Sequence, residues 1–116
     1  STLLLGMDVP VSTPVGTGVK IFHPMGLIVN DRAQIGERVT LRGNTTIGAK
    51  GFDSAAPIIE DGVELGANVV VLGPIVVGAR AIVGAGAVVV HDVPPGAVVA
   101  GNPARIIREV AADAQG

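Results

Sequence analysis

Cysteine, tryptophan and tyrosine are absent from the 116 residues, and phenylalanine occurs twice. Without thiols there are no disulfides and no cysteine nucleophile, a composition that fits a reducing cytoplasm, the location expected here. Aromatics at 2% leave almost nothing on which bases could stack, and a net charge of −2 supplies no basic surface for a phosphate backbone. Nucleic acid is therefore not expected as a partner. Charged residues are also sparse, at 16% against 48% hydrophobic, which is too apolar a balance for disorder. Large side chains are scarce as well, so the core has to be built from small aliphatics. The length predicts one domain over 1–116.

Two apolar stretches invite a membrane or export reading. The opening STLLLG is too short for the apolar core of a signal peptide and lacks a basic start, so no leader is expected. Residues 68–90, NVVVLGPIVVGARAIVGAGAVVV, are long enough for a membrane span. Arg80 at mid-span, a proline and the glycines argue against one, and no membrane is expected as a partner.

What is present is a repeat. Aliphatics fall at Ile35, Leu41, Ile47, Ile59, Leu65, Val71, Val77, Val83 and Val89 in one phase modulo six, broken only at Asp53. A glycine follows at Gly36, Gly48, Gly66, Gly78 and Gly84, and a small aliphatic stands four places on at Val39, Val63, Val69, Ile75, Ala81, Ala87 and Val93. Six matches neither a helix nor a long strand; an ordinary sandwich would alternate with period two. It suits short strands joined by tight corners, a β-solenoid in which three units close one triangular coil. The first and fifth places face inward. An earlier phase, Val15, Ile21 and Leu27, gives way to the later one with a two-residue slip expected near residues 28–34.

The last place of each unit is also apolar, at Val70, Val76, Ile82 and Val88, and faces outward. Such a stripe is rarely left in water. Neighbouring subunits are expected to cover it, and a triangular prism suits threefold closure. The solenoid is expected over about 9–101. Asn102 then Pro103 read as a cap and first helical turn, and ARIIREVAADA is a good helix former, so a short C-terminal α-helix is expected over about 103–113.

Of two histidines, His91 sits at a corner place and reads as solvated. His23, in FHPMGLIVN, follows Phe22 and precedes Pro24 just before the slip. A lone histidine is more often structural than catalytic, and its residue type alone leaves both readings open.

Asp8 and His23, fifteen residues apart, the segment HPMGLIVN, and the run VELGANVVVLGPIVVGARAIVGAGAVVVHDVPPGAVVAGNPARII resemble the serine acetyltransferase branch of the hexapeptide-repeat acyltransferases. The resemblance covers Asp8 to about Ile107. It implies an all-β fold, a left-handed parallel β-helix; the hand comes from the resemblance alone, because the usual crossover rule favours the right. It implies a homotrimer with active sites at subunit interfaces, acetyl-CoA as cosubstrate, and His23 and Asp8 as the catalytic pair. His23 would take the proton of an acceptor hydroxyl as it attacks the thioester, a contribution of about 10²- to 10⁴-fold. Asp8 would fix the imidazole tautomer and stabilise the imidazolium. Coenzyme A contacts would fall at Gly48, Ala67 and Ala85, with Lys50 and Arg105 facing its phosphates.

The sequence departs from that branch where serine is held. An aspartate before the catalytic histidine and an Arg-His pair in a later loop are replaced by Phe22, Ala55 and Ala56. Each lost charge-assisted bond is worth roughly 1.5–3 kcal/mol, so an acceptor other than free L-serine, a sugar or small natural-product hydroxyl, is expected. Phe22, Phe52 and Asp53 are the expected acceptor contacts. Serine acetylation proper and a noncatalytic trimeric scaffold are the alternatives. A zinc hydratase on the same solenoid would take three histidines per metal; with two in the chain, no metal is expected.

Overall fold

The structure is a computed structural model and describes residues 2–4, 7–9, 15–22, 25–30, 32–49 and 55–109, with backbone only for 2–4, 7–9 and 109. Fifteen short strands follow the six-residue rhythm. They are β1 (Thr2–Leu4), β2 (Met7–Val9), β3 (Lys20–Phe22), β4 (Ile28–Val29), β5 (Gln34–Ile35), β6 (Thr40–Arg42), β7 (Thr46–Gly48) and β8 (Ile58–Ile59). There follow β9 (Glu64–Leu65), β10 (Val70–Leu72), β11 (Val76–Val77), β12 (Ile82–Val83), β13 (Val88–Val89), β14 (Ala97–Ala100) and β15 (Arg105–Glu109). No helix occurs among the described residues, so none is long and apolar enough to cross a membrane.

The strands stack into three parallel faces. Face 1 holds β2, β4, β7, β10 and β13; face 2 holds β5, β8 and β11, extended by bridges from Val15 to Ile35 and from Val77 to Val93; face 3 holds β3, β6, β9, β12 and β14. The chain visits the faces in that order and climbs one coil per circuit. Its regular circuit is 18 residues, three hexapeptides, as in the pairs Ile28 with Thr46 and Val70 with Val88. Both predicted inward rows are buried, from Ile47, Leu65, Val71 and Val83 in the first place to Val63, Val69, Ala81 and Ala87 in the fifth. Each aliphatic lies about 4.8 Å from its equivalent in the next coil, so the core is a continuous column rather than a sandwich layer.

Departures from 18 locate the insertions. Lys20 pairs with Thr40, 20 residues on, so two residues are added in that circuit. Phe22 lies opposite Arg42, while the amide of Asn44 donates to the carbonyl of Met25 at 2.8 Å, which sets Met25 opposite Gly43. Arg42 and Gly43 are adjacent, and Phe22 and Met25 are separated by His23 and Pro24. The slip is thus at residues 23–24, earlier than the 28–34 expected. Leu27 caused the error: it belongs to the fifth-place row beside Thr45, with Val29 opposite Ile47 as the true first-place residue.

The second insertion is a whole unit. Gln34 pairs with Ile58, 24 residues on, and Gly48 with Leu72, so six residues are added between Gly48 and Ile58. Asp53, which breaks the inward row in the sequence, falls in this span and lies outside the described residues.

Both ends of the solenoid finish in antiparallel pairs, β1 with β2 and β14 with β15. The second corrects the expected C-terminal helix: residues 105–109 are a strand, and 110–113 lie outside the described residues. Helix propensity here amounts to tenths of a kcal/mol per residue, whereas β14 offers an open row of peptide groups on the last coil. Pairing satisfies that edge, and the β-branched Ile106 and Ile107 suit a strand.

Candidate active site

Three edges separate the three faces, and the predicted site residues divide between two of them. The edge leading from face 3 to face 1 carries the insertion His23-Pro24. Above Met25, the same corner position is held by Gly43, Ala67 and Ala85, linked by amide-to-carbonyl bonds from Asn68 to Gly43 (3.1 Å) and from Gly86 to Ala67 (2.9 Å). Gly26, Asn44, Asn68 and Gly86 all adopt positive φ, from 55° to 77°. Asparagine tolerates that left-handed conformation and glycine does so without strain, which is why the tight corner can repeat in every coil.

This edge is narrow and lined by backbone. A Cβ built on Gly66 would sit 2.7 Å from the amide nitrogen of Ala85 and 2.9 Å from its Cα, so the coils are in contact there with no room for a side chain. Ala67 is half-buried and Ala85 exposed. Ala100 pairs with Arg105, and the amides of Val88 and Ala104 bond to the carbonyls of Gly101 and Val88, so Arg105 stands at the top of this same edge. Its guanidinium is exposed and donates to the Ala104 carbonyl at 3.2 Å. Five strand spacings of about 4.8 Å, from β3 to β15, put roughly 24 Å between Phe22 and Arg105 along the stack.

Asp8 belongs to the adjoining face 1. Its strand β2 runs parallel to β4, with Asp8 opposite Ile28, directly beneath the strand into which the His23 corner leads. His23 itself lies outside the described residues, as does the side chain of Asp8.

Gly48 is elsewhere. It ends β7 on the edge between faces 1 and 2, where the amide of Gly73 donates to its carbonyl at 3.1 Å. The six-residue insertion starts beside it and contains Lys50, Phe52 and Asp53, all outside the described residues. Of its return limb, Ala55 is exposed and Ala56 is 8% exposed within the core. In one chain the Gly48 and His23 edges are held apart by the width of face 1, about 13 Å for four residues at 3.3 Å each. His91 is exposed at a corner of the fifth coil, as expected.

The third edge, between faces 2 and 3, is a structural seam. Asp61 accepts from the amide of Glu37 at 2.8 Å and Glu60 from that of Ala79 at 3.1 Å, so these carboxylates tie successive coils together. The surface groove beside them, lined by Gln34, Ile58, Glu60 and Asp61, lies away from the His23 edge.

One residue at the His23 edge escaped the sequence reading. Arg42 ends β6 directly opposite Phe22, its guanidinium 5.7 Å from the Phe22 ring centroid and bonded to the Leu65 carbonyl at 3.1 Å. The signal was present in the sequence: any two-residue slip between Phe22 and Arg42, the one expected at 28–34 included, gives this 20-residue pairing.

Comparison with known proteins agrees with this geometry. A family model described as bacterial transferase hexapeptide (six repeats) matches residues 56–91. Among solved structures, the serine acetyltransferase of Neisseria gonorrhoeae superposes with a TM-score of 0.88 at 34% identity, over 95% of this chain and 44% of that one. The chain belongs to the hexapeptide-repeat transferase family. Its fold is accordingly the left-handed parallel β-helix. Two further members are similar. The soybean serine acetyltransferase apoenzyme gives 0.83 at 39% identity, over 88% of this chain and 43% of that one. The Brucella abortus enzyme in complex with coenzyme A gives 0.80 at 38%, over 86% and 41%. This hexapeptide-repeat chain therefore spans about two fifths of the length of the serine acetyltransferases it matches. No curated protein sequence matches it.

Proposed function

We propose that this chain is a coenzyme A-dependent O-acetyltransferase, a single catalytic domain over 1–116 that moves an acetyl group from acetyl-CoA to the hydroxyl of a small acceptor. His23 is the general base. It takes the hydroxyl proton as oxygen bonds to the thioester carbonyl carbon, and the imidazolium returns the proton to the departing coenzyme A sulfur when the C–S bond breaks. Asp8 steadies the imidazole and its charge. The observation that carries this reading is the single edge that joins the His23-Pro24 insertion, the backbone-lined corners at Ala67 and Ala85, and the exposed Arg105. A pantetheine arm is narrow and amide-rich, and it matches an edge of glycine and alanine corners. Arg105 at its top, and Lys50, serve the nucleotide phosphates as cationic partners.

A homotrimer completes the site. Gly48 ends β7 at the far side of face 1 from the corner that follows Phe22, so in this reading Gly48, Lys50, Phe52 and Asp53 serve the site of a neighbouring subunit. Face 1 between the two edges presents Ile28, 48% exposed, with Val70 and Val88 above it. An apolar strip of that kind favours burial between subunits. Three sites form, one at each interface.

The acceptor is not free L-serine in this reading. Phe22 replaces an anion with an apolar ring, and Ala56, packed in the core, offers no polar group. The competing reading, serine acetylation, rests on the matched enzymes themselves, one of which was solved in complex with serine. Thiol release from acetyl-CoA, followed with amino-acid, sugar and antibiotic hydroxyls, separates the two. A good acceptor other than serine, with turnover lost in His23→Ala, is the expected result. Near-normal turnover in that variant refutes the mechanism, and serine as the best acceptor refutes the pocket argument.

A further inference from the structure

The geometry points to Arg42 as the residue that selects the acceptor, by binding a carboxylate on it; the acceptors are hydroxy acids, open-chain or sugar acids, without an ammonium group. This rests on the acetyltransferase reading above. Its first ground is position. Arg42 is one coil above Phe22, about 4.8 Å along the stack, and His23 is the residue after Phe22. Phe22, the last described residue before His23 in the chain, thus lies against the guanidinium, at the opposite end of the stack from Arg105.

The second ground is an unmet charge. Arg42 is half-buried, and among the described residues it has no carboxylate partner: its contacts are the Phe22 ring and the neutral Leu65 carbonyl. Glu37, Glu60 and Asp61 lie on the opposite seam, two of them engaged by backbone amides, and Glu64, on the adjacent strand β9 of the same face as Arg42, forms no ion pair with it. A guanidinium carries five N–H donors in a rigid fork that matches a carboxylate, and one bond to a carbonyl leaves most of them for a ligand.

The third ground is fixation. Stacked on Phe22 and tied to Leu65, the fork is held before any ligand arrives, which lowers the entropy lost on binding. Phe22 thus acts twice, as an apolar wall and as the platform for Arg42. The same pair explains the bias against serine. Serine also carries an ammonium, which here meets a cation and a hydrocarbon ring instead of an anion. Glycerate, with a hydroxyl in place of that ammonium, has no such conflict.

Matched compounds test this on the assembled protein. Thiol release is measured with glycerate, glycerol and L-serine, and with galacturonate and galactose, for wild type, Arg42→Met and Arg42→Lys. The expected result is at least tenfold higher kcat/KM for each acid than for its neutral counterpart, lost through KM in Arg42→Met and partly restored in Arg42→Lys. The KM for acetyl-CoA and the rate with neutral acceptors stay within about twofold, a split that a merely structural role would not produce. Equal use of acids and neutrals by wild type, or an equal loss for both in Arg42→Met, overturns the proposal and leaves the acetyltransferase reading standing. If no compound releases thiol, that reading fails. The anchor is then judged by melting temperature in millimolar galacturonate and galactose: a rise with the acid alone, absent in Arg42→Met, supports it, and no rise overturns it.

Discussion

Replacing Gly66 with alanine tests whether contact between coils defines the His23 edge. The added methyl would lie 2.7 Å from the Ala85 nitrogen, 2.9 Å from its Cα and 3.1 Å from the Gly84 carbonyl carbon, all backbone. Favourable separations begin near 3.5 Å, so the fourth coil must move outward by about 0.6–0.8 Å. Overpacking of this kind costs about 1–3 kcal/mol. Gly48→Ala is the internal control, since its methyl would meet Leu72 at an ordinary 3.5 Å. Neither glycine has a positive φ, so both variants gain the same unfolded-state benefit from alanine, and their difference isolates the clash. At about 4 °C per kcal/mol for a domain of this size, Gly66→Ala should melt about 4–12 °C below Gly48→Ala at equal protein concentration. The displaced corner carries Ala85, so the KM for acetyl-CoA should also rise several-fold in the first variant. Melting temperatures within about 2 °C of each other would refute the claim that the edge is closed by coil-to-coil contact.

Arg105→Ala should raise the KM for acetyl-CoA several-fold at low salt with little change in kcat, the difference shrinking as salt screens the phosphates, as steady-state kinetics would show. Thr45 is the sole polar side chain among the fully buried described residues, donating to the Gly66 carbonyl (3.2 Å) and accepting from the Val69 amide (3.4 Å). Thr45→Val should cost about 1–2 kcal/mol, read as a lower urea midpoint at unchanged slope. Val71→Ala, at a position with no exposure, should cost about 2–4 kcal/mol by the same measurement. Truncation after Asn102 removes β15 and bares the edge of β14, so light scattering should report association beyond the size of the intact protein.

Much of the fold was legible because the repeat is a local property. Six residues per unit, with the first and fifth inward, follow from which side chains are aliphatic, and Ile47, Leu65, Val69 and Val71 are buried as that pattern requires. Other features were hidden. Arg38 and Arg80 take φ values of 55° and 61°, as Asn44 and Asn68 do, yet only the asparagines advertise that conformation in sequence. Leu27 carried the old phase one unit too far because an aliphatic serves equally in either inward row. The ARIIRE segment has the composition of a helix, and only the unpaired edge of β14 makes it a strand.

By itself the sequence determined the coil, its core and the family, and it singled out His23 within its one aromatic-flanked interruption. The tertiary structure decided which edge each residue reaches. Position around a three-sided coil depends on the summed length of the turns between two residues, so the two residues added between Phe22 and Met25 set where Gly48 falls relative to Phe22, at the far end of face 1. The same count, fixed by hydrogen bonds between coils rather than by any local preference, stands Arg42 over Phe22.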